Sequence, residues 1–273
     1  LKNDELKIYR GEDFIVSTHI AIHQPTLAEI CEYGEQDYYS MIYQLTATPQ
    51  SLKVQLWDMG IDYTTITPFE LFYGLLYKIY DQKKTSIILG NLDLSKFELE
   101  QNENDGSVFL SQIVETINHE NACGKRKSFF IKKRKNLNNS KTYEKIIIDE
   151  FTYNTIMDYI RKTHSISKDE KLPANETTKM ILIEDDREEL KKNKNKKYQS
   201  QLKNMISAMV NCEGFKYNHS QVWDMKINAF MDSVKRISKI KNANLLLQSG
   251  YSGFGVNLKE ISNKQLNWLG EID

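Results

Sequence analysis

The sequence predicts an α+β protein, predominantly helical, with an N-terminal strand pair and a strand-rich middle segment. Three observations carry that prediction. Helix-start signatures cluster toward the two ends of the chain, short alternating apolar runs fill the middle, and the composition supplies a core. Hydrophobic residues make up 40% of the 273, including 15 Tyr, 11 Phe and 3 Trp. That apolar surface is enough to exclude disorder throughout.

The elements follow in order. Leu6, Ile8, Phe14, Val16, Ile20 and Ile22 alternate loosely around Gly11, which reads as one or two strands with a turn. Thr26-Leu27-Ala28-Glu29 is a capping box, in which the Thr hydroxyl accepts from the third helical N–H and the Glu reaches back to the cap N–H. Thr48-Pro49 starts another helix, with Pro where a missing N–H costs nothing, and Gly60 ends it. Thr67-Pro68-Phe69-Glu70 combines both devices, and Phe69, Phe72, Leu76 and Ile79 follow at helical spacing.

The middle reads as strands over 86–89, 92–100 and 107–117, with turns at Gly90-Asn91 and at 102–106. Ile146-Ile147-Ile148 then meets Asp149, a helix N-cap. Beyond it the pattern is helical. Asn175 caps one helix, and Leu202, Met205, Ile206 and Met209 mark another. The longest begins near Ser220 and carries Ile227, Phe230, Val234 and Ile237 as a buried stripe. Gly250 reads as its left-handed C-terminal residue, and Ser262-Asn263-Lys264-Gln265 as a last capping box. The expected division is 1–82, 83–148 and 149–273.

Charge and cysteine narrow the function. The 37 basic and 37 acidic residues cancel, which argues against a dedicated nucleic-acid binder. Cys31, Cys123 and Cys212 are odd in number, widely spaced and without a CxxC pair, so they suggest neither a disulfide framework nor a zinc knuckle, and a reducing compartment fits them. No apolar run reaches the ~18 residues that span a bilayer. Residues 1–10 are charged throughout, which predicts no signal peptide there.

No catalytic constellation stands out. His19 and His23 would share one face of a strand, but no third ligand is fixed by spacing, so no metal and no cofactor is expected. Glu184-Asp185-Asp186 reads as a solvated helix face supported by Glu188 and Lys192 four residues apart. The glycines of 250–255 follow a helical run and lack the Lys-Ser/Thr of a phosphate loop. GxSxG is absent, and His119, His164 and His219 define no Cys–His pair, so no enzyme is expected. The strongest charge anomaly is Lys125, Arg126, Lys127, Lys132, Lys133, Arg134, Lys135 and Lys141, with Phe129 and Phe130 among them. It reads as a solvated loop, or alternatively as a nucleic-acid contact with interleaved aromatics.

Two stretches carry a family resemblance. One is Pro25-Thr26-Leu27-Ala28-Glu29-Ile30 through Glu35, continuing to Trp57-Asp58-Met59-Gly60. The other runs from Val222-Trp223-Asp224-Met225 to Phe230, through Leu245-Leu246-Leu247 and Tyr251-Ser252-Gly253, to Leu266-Asn267-Trp268-Leu269. Together they resemble tail-assembly proteins of long-tailed bacteriophages, of the kind encoded just before the tape-measure protein. The resemblance covers the two ends of the chain and leaves the middle without a counterpart. It implies a non-catalytic chaperone that binds the tape-measure protein, or other tail proteins, in the host bacterial cytoplasm, with self-association as a further expectation. The alternative is a structural tail or baseplate protein of the virion. Met205, Met209, Met225 and Met231 suit an adaptable helical client, or ordinary core filling. The residues expected to carry partner binding are Trp223, Phe230, Tyr251, Phe254 and Trp268, because large aromatics dominate interface energy.

Overall fold

The structure is a computed structural model, and it describes residues 5–117, 141–168, 171–253 and 255–270. It is α+β, with helices around two small antiparallel sheets. A one-turn helix, α1 (Glu5–Tyr9), precedes the strand pair β1 (Phe14–Ile15) and β2 (Ala21–Ile22), registered Phe14 to Ile22. The strand pair is therefore present, but Leu6 and Ile8 lie in a helix. Their two-residue alternation is too short to fix a period.

Helix α2 (Leu27–Tyr33) starts at the expected capping box. The Glu29 N–H donates to Thr26 Oγ1 at 3.1 Å, and the Thr26 N–H donates to Glu29 Oε2 at 2.6 Å. Gly34, at φ +100°, then turns the chain directly into α3 (Glu35–Leu45). A side chain at that φ would be strained. Tyr38, Met41, Ile42 and Leu45 form the buried face of α3. A short 3₁₀ turn leads into α4 (Lys53–Asp58), which stops before Gly60.

The next helix, α5 (Pro68–Leu71), has the capping box expected at Thr67 and Glu70. It does not continue as a regular helix. Residues 72–76 form a π turn and 77–79 a 3₁₀ turn. A π turn spends one extra residue, so the register rotates. Phe69 and Phe72 stay buried, but Ile79 moves out to 49% exposure and Tyr77 and Tyr80 take the inner positions.

Residues 86–89 are helical, not extended. They end α6 (Gln82–Leu89), whose start is fixed by Asp81 accepting from the Lys84 N–H at 3.0 Å and whose end is Gly90. A four-residue apolar run does not distinguish helix from strand, and here the Asp cap decides. Of the expected strand over 92–100, residues 94–96 are a 3₁₀ turn and only β3 (Glu98–Gln101) is extended. It pairs with β4 (Val108–Ile117), which pairs in turn with β5 (Lys141–Ile148).

Helix α7 (Glu150–His164) begins at Asp149, which accepts from the Thr152 N–H at 2.8 Å. Helix α8 (Glu176–Asn193) begins at Asn175, also as expected. It docks through buried Ile183, through Lys179 on Asp62 at 2.8 Å, and through Arg187 on Asp58 at 2.7 Å. Lys179 and Thr64 together hold the Asp62 carboxyl down at about 2. Asp186 pairs with Lys53, and the Glu188–Lys192 pair forms at 3.3 Å. Helices α9 (Gln201–Val210), α10 (Ile227–Tyr251) and α11 (Asn263–Leu266) complete the chain.

One buried cluster draws on all three expected segments. Ile42 and Phe72 come from 1–82, Leu110 and Ile148 from 83–148, and Tyr153 and Phe230 from 149–273. Met209 and Met225 are buried in it, and Met205 and Met231 pack against it, which is core filling. Among the described residues, no helix is long and apolar enough to cross a membrane.

Candidate partner-binding surface

The start of α10 is stitched to the start of α2. The Leu27 N–H donates to the Met225 carbonyl at 3.0 Å, and the Ile227 N–H to the Pro25 carbonyl at 2.9 Å. This backbone bridge leaves α10 with no side-chain cap at Lys226. It also fixes the direction of a 25-residue helix. The first half of that helix is the expected stripe: Ile227 and Phe230 are fully buried, and Val234 and Ile237 pack against the same core. The second half meets the returning chain at α11, where Leu245 and Leu246 line a groove with Lys264 and Gln265.

Glycine makes that return possible. A Cβ at Gly250 would lie 2.2 Å from Leu258 Cγ, so the residue is required by close approach and sits inside the helix. It is not the left-handed terminus expected from the sequence; that role falls to Gly253, at φ +76°. Ser262 precedes α11 but makes no capping hydrogen bond to its backbone, so the last capping box does not form. Arg236 pins the return instead, donating to the carbonyls of Trp268 at 2.6 Å and Gly270 at 2.8 Å. Alanine at position 250 favours a helix by about 1 kcal/mol in isolation. Gly250→Ala is nonetheless expected to displace Leu258, expose 252–262 to protease and cost about 1–3 kcal/mol in urea unfolding.

The five aromatic positions expected to bind partners have different fates. Tyr251 is 81% exposed, and Trp268 is 43% exposed beside Leu269 at 75%. Trp223 is half-buried, edge-on to His219 at 6.2 Å, in a groove of about 410 Å³ whose floor includes Ile30, Leu202 and Ile206. Phe230 is core, at 0% exposure, and is corrected to a structural role. Phe254 lies outside the described residues, as do Lys125, Arg126, Lys127, Lys132, Lys133, Arg134 and Lys135 of the nucleic-acid alternative. Sequence reasoning passed over Leu245, exposed at 63%, and Val256, exposed at 42%. With Tyr251, Trp268 and Leu269 they are the large apolar side chains that the end of α10 and its return leave exposed among the described residues. Exposed apolar side chains mark an interaction site where they form a contiguous patch.

Other candidate chemistry disperses. His19 and His23 do not share a strand face. His19 sits between the two strands and pairs with Glu144, whereas His23 follows β2 and bonds Asp13 at 3.0 Å, with Glu29 at 3.6 Å. Cys31 and His219 line the Trp223 groove, but His219 is engaged with the indole. His164, at the end of α7, is buried. Its Nδ1–H donates to the Ile160 carbonyl at 2.7 Å, and its Nε2 accepts from the Tyr38 hydroxyl. Burial pushes this imidazole down to about 4, so it is neutral at pH 7.

No curated protein and no solved structure matches the chain. Residues 191–273, from the last turn of α8 through α11, match the family described as YomV second domain. The matched residues include the second stretch of the resemblance, 222–269, and none of the first. The match suggests a phage-related protein.

Proposed function

We propose that this chain is a non-catalytic tail-assembly chaperone of a phage, binding the tape-measure protein in the host cytoplasm through the end of α10 and its return. The observation that carries the reading is the exposed set Leu245, Tyr251, Val256, Trp268 and Leu269, all within the segment matched to the YomV second domain. A long helical client offers apolar side chains at intervals of three and four residues, and an aromatic-bearing helical surface receives them. Large aromatics with few torsions lose little entropy on docking. A double change, Tyr251→Ser with Trp268→Ser, is expected to weaken client binding about a thousandfold, about 30-fold for each, since anchors of this type are each worth about 2 kcal/mol. Its melting temperature should stay within a few degrees of the parent protein, because Tyr251 is 81% exposed and Trp268 43% exposed.

A chaperone leaves the particle it helps to build. Mass spectrometry of purified virions is therefore expected to find the tape-measure protein without this chain. Recovery of the chain in stoichiometric amount would replace the chaperone with a structural tail or baseplate protein.

A further inference from the structure

The ends of α3 and α7 close around a cavity of about 570 Å³. Arg161 ties the two ends together, donating to the Thr46 carbonyl at 2.7 Å, and the Tyr38 hydroxyl ties them again by donating to His164 Nε2. Gln201 and Met205 of α9 and Met231 of α10 add to the wall. The volume falls within the range of about 300–1,000 Å³ that small-molecule sites occupy. None of Leu245, Tyr251, Val256, Trp268 and Leu269 lines it, so it stands apart from the proposed client surface.

The lining is polar but uncharged. Among the described residues, none that lines the cavity is an acid, a Lys or an Arg, although the chain is 27% charged. His164 is neutral at pH 7, with both ring nitrogens already engaged. The hydroxyls of Tyr39, Tyr43, Ser165 and Ser167 and the amide of Gln201 have no hydrogen-bond partner among the described residues. Burial, and then the Glu35 carboxylate, push the Tyr39 hydroxyl well up, so it keeps its proton and donates. Tyr39 and Tyr43 also present rings, with centroids 6.2 Å apart, and Tyr43 is 54% exposed.

Ser165 is an independent sign of use. It closes α7 in the left-handed region, at φ +56°, and among the described residues no other non-glycine residue has a positive φ. Helices commonly close on glycine at that position, because a Cβ there is strained. A serine in that strained place, with its hydroxyl unbonded at a cavity, points to a role for the hydroxyl.

The lining selects a class of ligand. A phosphate or carboxylate is held by Arg or Lys, and neither lines the cavity. An apolar ligand would bury hydroxyls without partners, which costs binding. The remaining fit is a neutral ligand whose own hydroxyls both donate and accept, and whose C–H faces can lie against rings. We infer that this cavity binds an uncharged saccharide, with Tyr39 and Tyr43 against its apolar face and Ser165, Ser167 and Gln201 on its hydroxyls.

The test is saturation-transfer NMR and calorimetric titration of the full chain with cellobiose, maltose and N,N′-diacetylchitobiose. Glucose 6-phosphate is the charged control. At least one disaccharide is expected to bind with a dissociation constant on the order of 1 mM or below, and the phosphate more weakly. Tyr43→Ala should weaken that binding about fivefold or more. Ser165→Gly should weaken it by a similar factor, about fivefold, through the lost hydrogen bond. The same glycine relieves the left-handed strain, so this variant should melt at or above the parent temperature. Weaker binding without lost stability separates a use of the hydroxyl from damage to the fold. No transfer to any of the three disaccharides, tighter binding of the phosphate, or full binding in either variant overturns the inference.

Discussion

Replacing Phe230 by alanine is expected to cost about 3–5 kcal/mol of folding stability, which is a large part of what a domain of this kind has. Phe230 is fully buried, among the largest fully buried side chains of the core, and lies where α10 meets the body. Its removal leaves a cavity at the crossing of α10 with the core, and the backbone bridge between 25–27 and 225–227 holds the helix where it is. Partial collapse is therefore blocked, which places the loss toward the upper part of the range. Equilibrium urea unfolding checks it. A loss below about 1 kcal/mol, accompanied by lost partner binding, would return Phe230 to the interface role that its sequence context suggested.

The second large effect depends on pH. His164 titrates near 4 in the folded chain, against an ordinary 6.5, because burial penalises the imidazolium. Between those values the unfolded chain binds the proton and the folded chain does not. Stability contributed by the neutral imidazole is complete above about pH 6.5 and is lost as pH falls toward 4. The full loss is on the order of 3 kcal/mol. The hydrogen bonds agree in sign: protonation would place a second N–H against the Tyr38 hydroxyl, which now donates to that nitrogen. His164→Gln should be less stable than the parent at pH 7 and should lose less stability between pH 7 and pH 4. Urea midpoints at three pH values for both proteins decide it, and parallel pH profiles would contradict the assignment. Asp62 titrates lower, near 2, and its own loss falls in a separate, more acid window.

Local chemistry was legible in the sequence. The capping boxes at Thr26 and Thr67 and the caps at Asp149 and Asn175 need only residues within one turn, and all four form as read. Features that depend on distant chain were not legible. Nothing near Gly250 announces Leu258, eight residues on and folded back against it. The π turn at 72–76 has no local signature, so the outward rotation of Ile79 was invisible. Phe230 shows the two kinds of reasoning in conflict. The periodicity of Ile227, Phe230, Val234 and Ile237 placed it on a buried stripe, while its aromatic type placed it among the binding residues. The periodicity described its environment, and the residue type did not. Leu245 is the converse case, since Leu245-Leu246-Leu247 has no period from which to say which leucine faces out.

The proposed binding of a long helical tail protein by the end of α10 and its return is open to direct test. The most direct measurement is affinity purification of the tagged chain from cells making the neighbouring phage proteins, beside a Leu245→Ser, Tyr251→Ser, Trp268→Ser variant. The expected result is a long, helix-rich tape-measure protein with the parent chain and its loss with the variant, at nearly equal melting temperatures. Equal recovery with both proteins, or recovery of tube or baseplate subunits in place of that client, would rule out that binding.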